Sequence, residues 1–309
     1  MPAPTATPVP TGPAEQKIAY DAEDGEIYII NPDGSGKTRI TNSPGGDGEP
    51  AFSPDGQHIA FASDRDGNWE IYVMNADGSD VTRLTNSPAA DLFPTWSPDG
   101  QHLAFLSMPD GKSEVHFMNA DGSAQINLTN NPAFDGLPAW SPDGQRIAFL
   151  SDRDGEYRGY FMAPDGSDVE PRFPINLPEG YLYLIAFFSG AWSPDGQFFA
   201  YTTVEATPFD EGEPAPLIKI EALQQEGVPC VFTWLQSVRP VWSPDGTALA
   251  FATSYQPEND LDIGIVPVFC EGSCCAVATE LFPDMQVTSE PGRDIVGSWT
   301  DKYRLSPPS

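Results

Sequence analysis

Four aspartates recur at one place in this chain. Asp47, Asp91 and Asp135 each stand three residues before a proline (Pro50, Pro94 and Pro138), and Asp294 stands three before Gly297. The two remaining equivalents are Phe187 and Ser237. Acids held at one level of a closed structure would surround one mouth of a central channel. At a separation of ~8 Å each pair repels by roughly 2 kcal/mol for an effective dielectric of about 20. A cation, an Arg or Lys side chain or a peptide amino terminus would relieve that repulsion. The competing reading is that each Asp caps a backbone turn and ties neighbouring units together. The two roles can coexist.

A second candidate is the segment from Tyr181 to Phe188, Tyr-Leu-Tyr-Leu-Ile-Ala-Phe-Phe. It falls where earlier units carry short polar loops. Tyr181, Tyr183, Phe187 and Phe188 at a channel mouth would suit a partner's hot spot; otherwise they extend a strand and fill core. The pairs Asp64/Asp66 and Asp152/Asp154, each followed by Gly, resemble the opening of a calcium loop. A full loop needs further ligands and a distal Glu, and this turn is too short, so a two-carboxylate hairpin is the favoured reading. Calcium is the one metal ion left open, and no cofactor is expected.

Other patterns are set aside. Residues 31–38 end like a phosphate-binding loop, but begin with Asn31 instead of Gly and have no helix to follow. His58 and His102 occupy one outward repeat position, taken by Arg146 in the next unit, and His116 stands alone. No Gly-x-Ser-x-Gly elbow is present, so hydrolysis has no nucleophile of that kind. Cys230, Cys270, Cys274 and Cys275 allow three disulfide pairings. A bridge from Cys230 to the 270–275 cluster joins outer-strand positions of neighbouring units, whereas the spacing does not suit zinc.

The elements that must position these residues follow from a repeated phrase. Phe52-Ser53-Pro54-Asp55-Gly56 returns with Trp at 96, 140, 192 and 242, and a worn copy stands at Gly297-Ser298-Trp299-Thr300-Asp301. A period in the forties with four strand-like pieces per unit is the mark of a β-propeller. In the clearest unit the strands are read at Pro50–Phe52, His58–Ala62, Glu70–Asn75 and Val81–Thr85, joined by Ser-Pro-Asp-Gly and Asp-Gly turns. The second strand alternates large and small, as a half-buried strand does. Six such second strands predict an all-β, six-bladed propeller of four-stranded blades. The first blade lacks its innermost strand locally, and residues 295–299 would supply it, closing the ring. The repeated Trp residues belong to the core, and Trp96→Ala should cost about 3–5 kcal/mol.

The chain has 309 residues with 45 acids against 15 bases, a net charge of −30. Such a surface repels nucleic acid and anionic membrane and attracts cations or basic partners. No run of 18 apolar residues exists to span a membrane. Residues 1–16 read as a Pro/Thr-rich linker, 17–303 as the propeller and 304–309 as a tail. Such a linker commonly joins an anchor or leader to an exported domain.

The run [Trp/Phe]-Ser-Pro-Asp-Gly-x-x-[Ile/Leu]-Ala-Phe, then Ser-Asp-Arg-Asp-Gly, Ile-Tyr-Val-Met-Asn-Ala-Asp-Gly and Arg-Leu-Thr, resembles the TolB-type propeller repeat. The resemblance covers residues 17–301 and is tightest up to residue 168. It implies six blades, an extracytoplasmic bacterial setting (periplasmic, surface-anchored or secreted) and a protein-binding role. The function expected is a non-enzymatic scaffold that docks a protein or peptide on the channel-mouth face. Two alternatives stay open. One is a channel-site ligand- or metal-binding protein or hydrolase-like enzyme. The other is a self-associating subunit of a surface layer or filament.

Overall fold

The structure, a computed structural model, describes residues 15–176, 190–206, 214–223, 230–231, 237–253, 262–271, 274–277 and 295–303. Its strands fall into six four-stranded antiparallel sheets. In chain order the first three are β1 (Glu15–Asp21), β2 (Ile27–Ile30) and β3 (Thr38–Arg39). Sheet two holds β4 (Asp47–Phe52), β5 (His58–Ser63), β6 (Glu70–Asn75) and β7 (Thr82–Arg83). Sheet three holds β8 (Asp91–Trp96), β9 (His102–Ser107), β10 (Glu114–Asn119) and β11 (Ile126–Asn127). Sheet four holds β12 (Asp135–Trp140), β13 (Ile147–Ser151), β14 (Arg158–Met162) and β15 (Glu170–Pro174). Sheet five holds β16 (Gly190–Trp192), β17 (Phe198–Ala206), β18 (Pro214–Ala222) and β19 (Cys230–Val231). Sheet six holds β20 (Ser237–Trp242), β21 (Ala248–Thr253), β22 (Asp262–Glu271) and β23 (Cys274–Val277). The last strand, β24 (Ile295–Tyr303), pairs antiparallel with β1, Ile18 opposite Trp299, and becomes the first strand of sheet one.

The Ile-Ala-Phe triplet of each second strand sets how the sheets stack. Ile59 and Phe61 pack against Ala19, Ile27 and Ile29 of sheet one, while Ala60 and Ala62 pack against Leu103 and Phe105 of sheet three. The same polarity recurs: the large residues Ile147 and Phe149 join sheet three, and Ala148 joins sheet five. Leu249 and Phe251 face sheet five, and Ala250 joins Ile18 and Tyr20 of sheet one. A large face thus meets the small face of its neighbour, which lets successive sheets interdigitate without voids. It also corrects the half-buried reading of this strand. Residues 59–63 are all buried, because each sheet is covered on both faces.

Two turns lock the stack. In Ser-Pro-Asp-Gly the Ser53 hydroxyl donates to Asp55 (2.6 Å), the Gln57 amide donates to the same carboxylate (3.0 Å), and Gly56 takes φ 67°. The Ser97 hydroxyl and the Gln101 amide likewise hold the Asp99 carboxyl below its ordinary range. At the Asp-Gly hairpin, Gly78 has φ 87°, and a Cβ there would meet the Ile40 carbonyl oxygen of sheet one at 2.3 Å. Gly122 and Gly166 make the matching approaches to Leu84 and Leu128.

The observed ladders differ from the sequence reading at both ends of the unit. The inner strand starts at Asp47, three residues before Pro50, and the outer strand is reduced to Thr82–Arg83. The first difference is a bulge. Gly48 pairs with Ala62 and Ala51 with Ala60, so Glu49 and Pro50 together face one residue. The second is a side-chain takeover: the Thr85 hydroxyl accepts the Ile71 N–H (2.9 Å), ending the backbone ladder.

Candidate functional site

Proline creates the site. It has no N–H to give the ladder, and the inner-strand bulges of sheets two, three, four and six each place Pro second and a left-handed residue first. Those first residues are Glu49 (φ 58°), Phe93 (φ 55°), Leu137 (φ 56°) and Arg239 (φ 55°). Positive φ in such side chains is strained by about 1–3 kcal/mol, a feature that gathers at functional positions. The bulge turns all four toward a cavity of about 310 Å³ framed by β4, β8, β12, β16 and β20. The remaining wall is Pro50, Pro94, Pro138 and Pro240, with Trp96, Trp140 and Trp192 further along the strands.

The charged end of this cavity is a buried cluster. Arg239 is 6% exposed, and its terminal nitrogens stand 3.7 Å from Asp21 Oδ1 and 3.7 Å from Glu49 Oε1. Its guanidinium lies 5.1 Å from the Phe93 ring centroid. Glu49 Oε2 accepts the Phe93 N–H at 2.5 Å, a bond from sheet two to sheet three. Burial pushes the Glu49 carboxyl up to about 7, against the pull of Arg239 and that amide.

The recurrent aspartates lie elsewhere in the same strands. Asp47, Asp91 and Asp135 open β4, β8 and β12 and are 2%, 2% and 0% exposed, so these three do not form a solvent-facing rim. Each instead faces the hairpin of its own sheet. Arg65 donates to Asp47 Oδ1 at 2.8 Å and Arg153 to Asp135 Oδ1 at 2.9 Å. Both arginines stack on an aromatic pair, Arg65 on Phe61 and Tyr72, Arg153 on Phe149 and Tyr160. Sheet three has Pro109 in that place. Asp91 keeps only hydroxyls, the nearest from Ser107 at 2.5 Å, and Glu70 of sheet two lies against it. Burial, opposed by those hydroxyls and reinforced by Glu70, raises the Asp91 carboxyl to about 6. Burial also raises Asp135 despite its arginine.

Asp294, Tyr181, Tyr183, Phe187 and Phe188 lie outside the described residues, as do the side chains of the four cysteines. The calcium-like aspartates diverge into structural bonds. Asp64 accepts the Gly46 N–H (2.6 Å) and Asp152 the Phe134 N–H (2.8 Å). Asp66 and Asp154 accept the hydroxyls of Tyr72 (2.7 Å) and Tyr160 (2.5 Å). Among the described residues no group of three or more His, Cys, Asp or Glu is arranged to hold a metal.

Two sets escaped the sequence reading. One is the bulge residue: Glu49 and Arg239 are charges of opposite sign in a column otherwise filled by Phe93 and Leu137, and that contrast is legible beside each proline. The other is a buried Glu that opens the third strand. Glu26, Glu70 and Glu114 each bind a hydroxyl fifteen residues on, from Thr41 (2.7 Å), Thr85 (2.6 Å) and Thr129 (2.5 Å). Arg39 and Arg83 complete the first two. The fixed spacing was the available signal.

The repeated Trp does more than fill space. Trp96, Trp192 and Trp242 donate their indole N–H to the preceding sheet's inner strand, at Ala51 (3.0 Å), Ala139 (3.1 Å) and Ala191 (3.2 Å).

Known proteins share these features. A family model described as "TolB beta propeller domain" matches residues 12–92 and 84–175. The "Tol-Pal system protein TolB" of Bordetella pertussis is 56% identical over 43 residues, 14% of this chain and 10% of that protein. The aligned part is thus a small fraction of that relative's length. In three dimensions TolB from Acinetobacter baumannii superposes with a TM-score of 0.70 at 22% identity, over 93% of this chain and 67% of that one. A puromycin-hydrolyzing peptidase of Mycobacterium tuberculosis also superposes, with a TM-score of 0.60 at 17% identity, over 90% of this chain and 45% of that one. Fold alone therefore accommodates enzymes and non-enzymes. The family model spans more than half of the sequence, and the turns and strands it covers are those whose bonds are described above: the chain belongs to the TolB beta-propeller domain family.

Proposed function

We propose that the chain is a non-enzymatic docking scaffold: a ring of six blades, latched by β24 on β1, that holds a protein or peptide outside the cytoplasm. The ring is supported by the apolar cluster joining sheet six to sheet one through Ala250, Ile263, Ile18 and Tyr20. It is supported also by β24, which contacts both β20 and β4. The setting is extracytoplasmic, in keeping with the resemblance to TolB proteins. Among the described residues no helix is long and apolar enough to cross a membrane.

One observation carries the scaffold reading. The repeat's buried acids are engaged in ties within their own units: Asp47 with Arg65, Asp135 with Arg153, Asp91 with Ser107, and Glu70 with Thr85 and Arg83. Acids fixed in this way hold the platform together, while the net charge of −30 draws a basic partner to it. The docking face is the one carrying the connectors that precede β4, β8 and β12. The aromatic segment with Tyr181, Tyr183, Phe187 and Phe188 occupies the equivalent connector before β16 and supplies the partner's apolar contacts.

Site-specific photocrosslinking tests this in cells of the source. A benzophenone amino acid at Tyr183 should capture a discrete protein, and one at Asp143, in a Ser-Pro-Asp-Gly turn at the other end of the strands, should not. Equal capture at both positions, or none at Tyr183, would contradict the assignment.

A further inference from the structure

Two residues that line the cavity each carry a buried donor with no acceptor among the described residues: Arg239 its Nε–H and Trp140 its indole N–H. Trp96, Trp192 and Trp242 each reach a carbonyl of the preceding sheet, and Trp140 does not. The other two nitrogens of Arg239 are held at 3.7 Å from carboxylates, beyond hydrogen-bond range. Leaving a buried guanidinium donor unfilled is costly, and a strained backbone keeps this one in place. The walls beside it are apolar, Phe93, Leu137, Pro94 and Pro138, and the volume of about 310 Å³ falls at the small end of ligand pockets.

A group that meets the guanidinium must accept hydrogen bonds. One that suits a guanidinium best is an oxyanion, planar and bidentate. One that suits the walls is apolar. We propose that this cavity is a binding site for a small organic acid, its carboxylate on Arg239 and its apolar body running along the prolines toward Trp140. Arg239 is the third residue of β20 and Trp140 the sixth of β12, an offset of three residues along the inner strands, or roughly 10 Å of extended chain. A phenyl ring on a short alkyl acid spans that length.

The groups facing the guanidinium set its pH response. They are Glu49 on β4, Asp21 on β1 and the neutral ring of Phe93 on β8, while the Thr202 hydroxyl on β17 accepts the Arg239 backbone N–H at 3.3 Å. Glu49 and an incoming carboxylate compete for the same cation. Because burial raises Glu49 to about 7, it gives up its charge as pH falls from 8 to 6, and the acid then binds more tightly. This site is independent of the docking face, and partner capture at Tyr183 neither requires it nor excludes it.

Calorimetric titration of the folded chain with 4-phenylbutyrate, and with 4-phenylbutylamine as the cationic match, tests the assignment. The acid should bind one to one, more tightly at pH 6 than at pH 8, and the amine should not. Arg239→Met should weaken the acid by ~10-fold or more, the loss of a charge-assisted bond. Trp140→Phe should weaken it to a smaller extent, and Glu49→Gln should remove the pH dependence. If thermal melting shows that Arg239→Met does not fold, the Trp140 and Glu49 variants decide. Equal binding of acid and amine, absence of saturable heat (a cavity that holds water only), or unchanged affinity in the folded variants would overturn the site.

Discussion

Pro109 stands where Arg65 and Arg153 stand in the flanking repeats, and the consequence falls on Asp91. Its carboxyl is raised from 3.8 to about 6, so the folded chain binds a proton there that the unfolded chain releases. Stability therefore falls as pH rises from about 4 to about 6 and is level above that, a span of about 3 kcal/mol from this group. Asp91→Asn keeps the acceptor for Ser107 and removes the charge. The variant should melt a few degrees higher than the parent at pH 8 and level with it at about pH 3.5, below the unfolded pKa; parallel melting curves at both values would contradict the assignment. At this scale the sequence was half legible. The aspartates announced themselves by spacing, but their burial did not, because a carboxylate in a repeat reads the same whether an arginine or solvent receives it. Glu49 and Arg239 were obscured for a further reason. The residue before proline was taken to lie outside the strand, and only the bulge turns it into the cavity.

At the scale of elements, the hairpin glycines separate two physical effects. Gly67 and Gly78 both require positive φ, at 94° and 87°, but a Cβ at Gly67 meets open space while one at Gly78 strikes the Ile40 carbonyl. Gly67→Ala should cost only the conformational strain, about 1–2 kcal/mol. Gly78→Ala should cost clearly more, since sheets one and two must part; chemical denaturation gives both values, and equal losses would refute the close approach. Trp96→Ala should cost about 3–5 kcal/mol, from lost packing and an Ala51 carbonyl left without its donor. The third strand was read to the residue as Glu70–Asn75, since apolar alternation and an Asp-Gly turn bound it on both sides. The outer strand was read too long because Thr85 looks like a strand residue while its hydroxyl ends the ladder.

Over the whole molecule, the Ile-Ala-Phe triplet carries the architecture. Large side chains face the preceding sheet and small ones the next, so each interface is heterologous and repeats in one direction around the stack. Six second strands in the sequence gave six sheets, and the missing first strand of sheet one is supplied by β24. The later sheets were less legible, since β17 and β18 run to nine residues each where the matching strands of sheets two to four have five or six. Removing residues 294–309 should expose the edge of β1 and lower the melting temperature sharply; an unchanged value would show that β24 adds nothing.

The most direct measurement is native-state hydrogen exchange on peptides covering residues 15–21 and 295–303. Head-to-tail pairing within one sheet predicts that both peptides exchange together and as slowly as residues 58–63 of sheet two. Rapid exchange of either peptide, with 58–63 still protected, would contradict the latch and with it the closed ring.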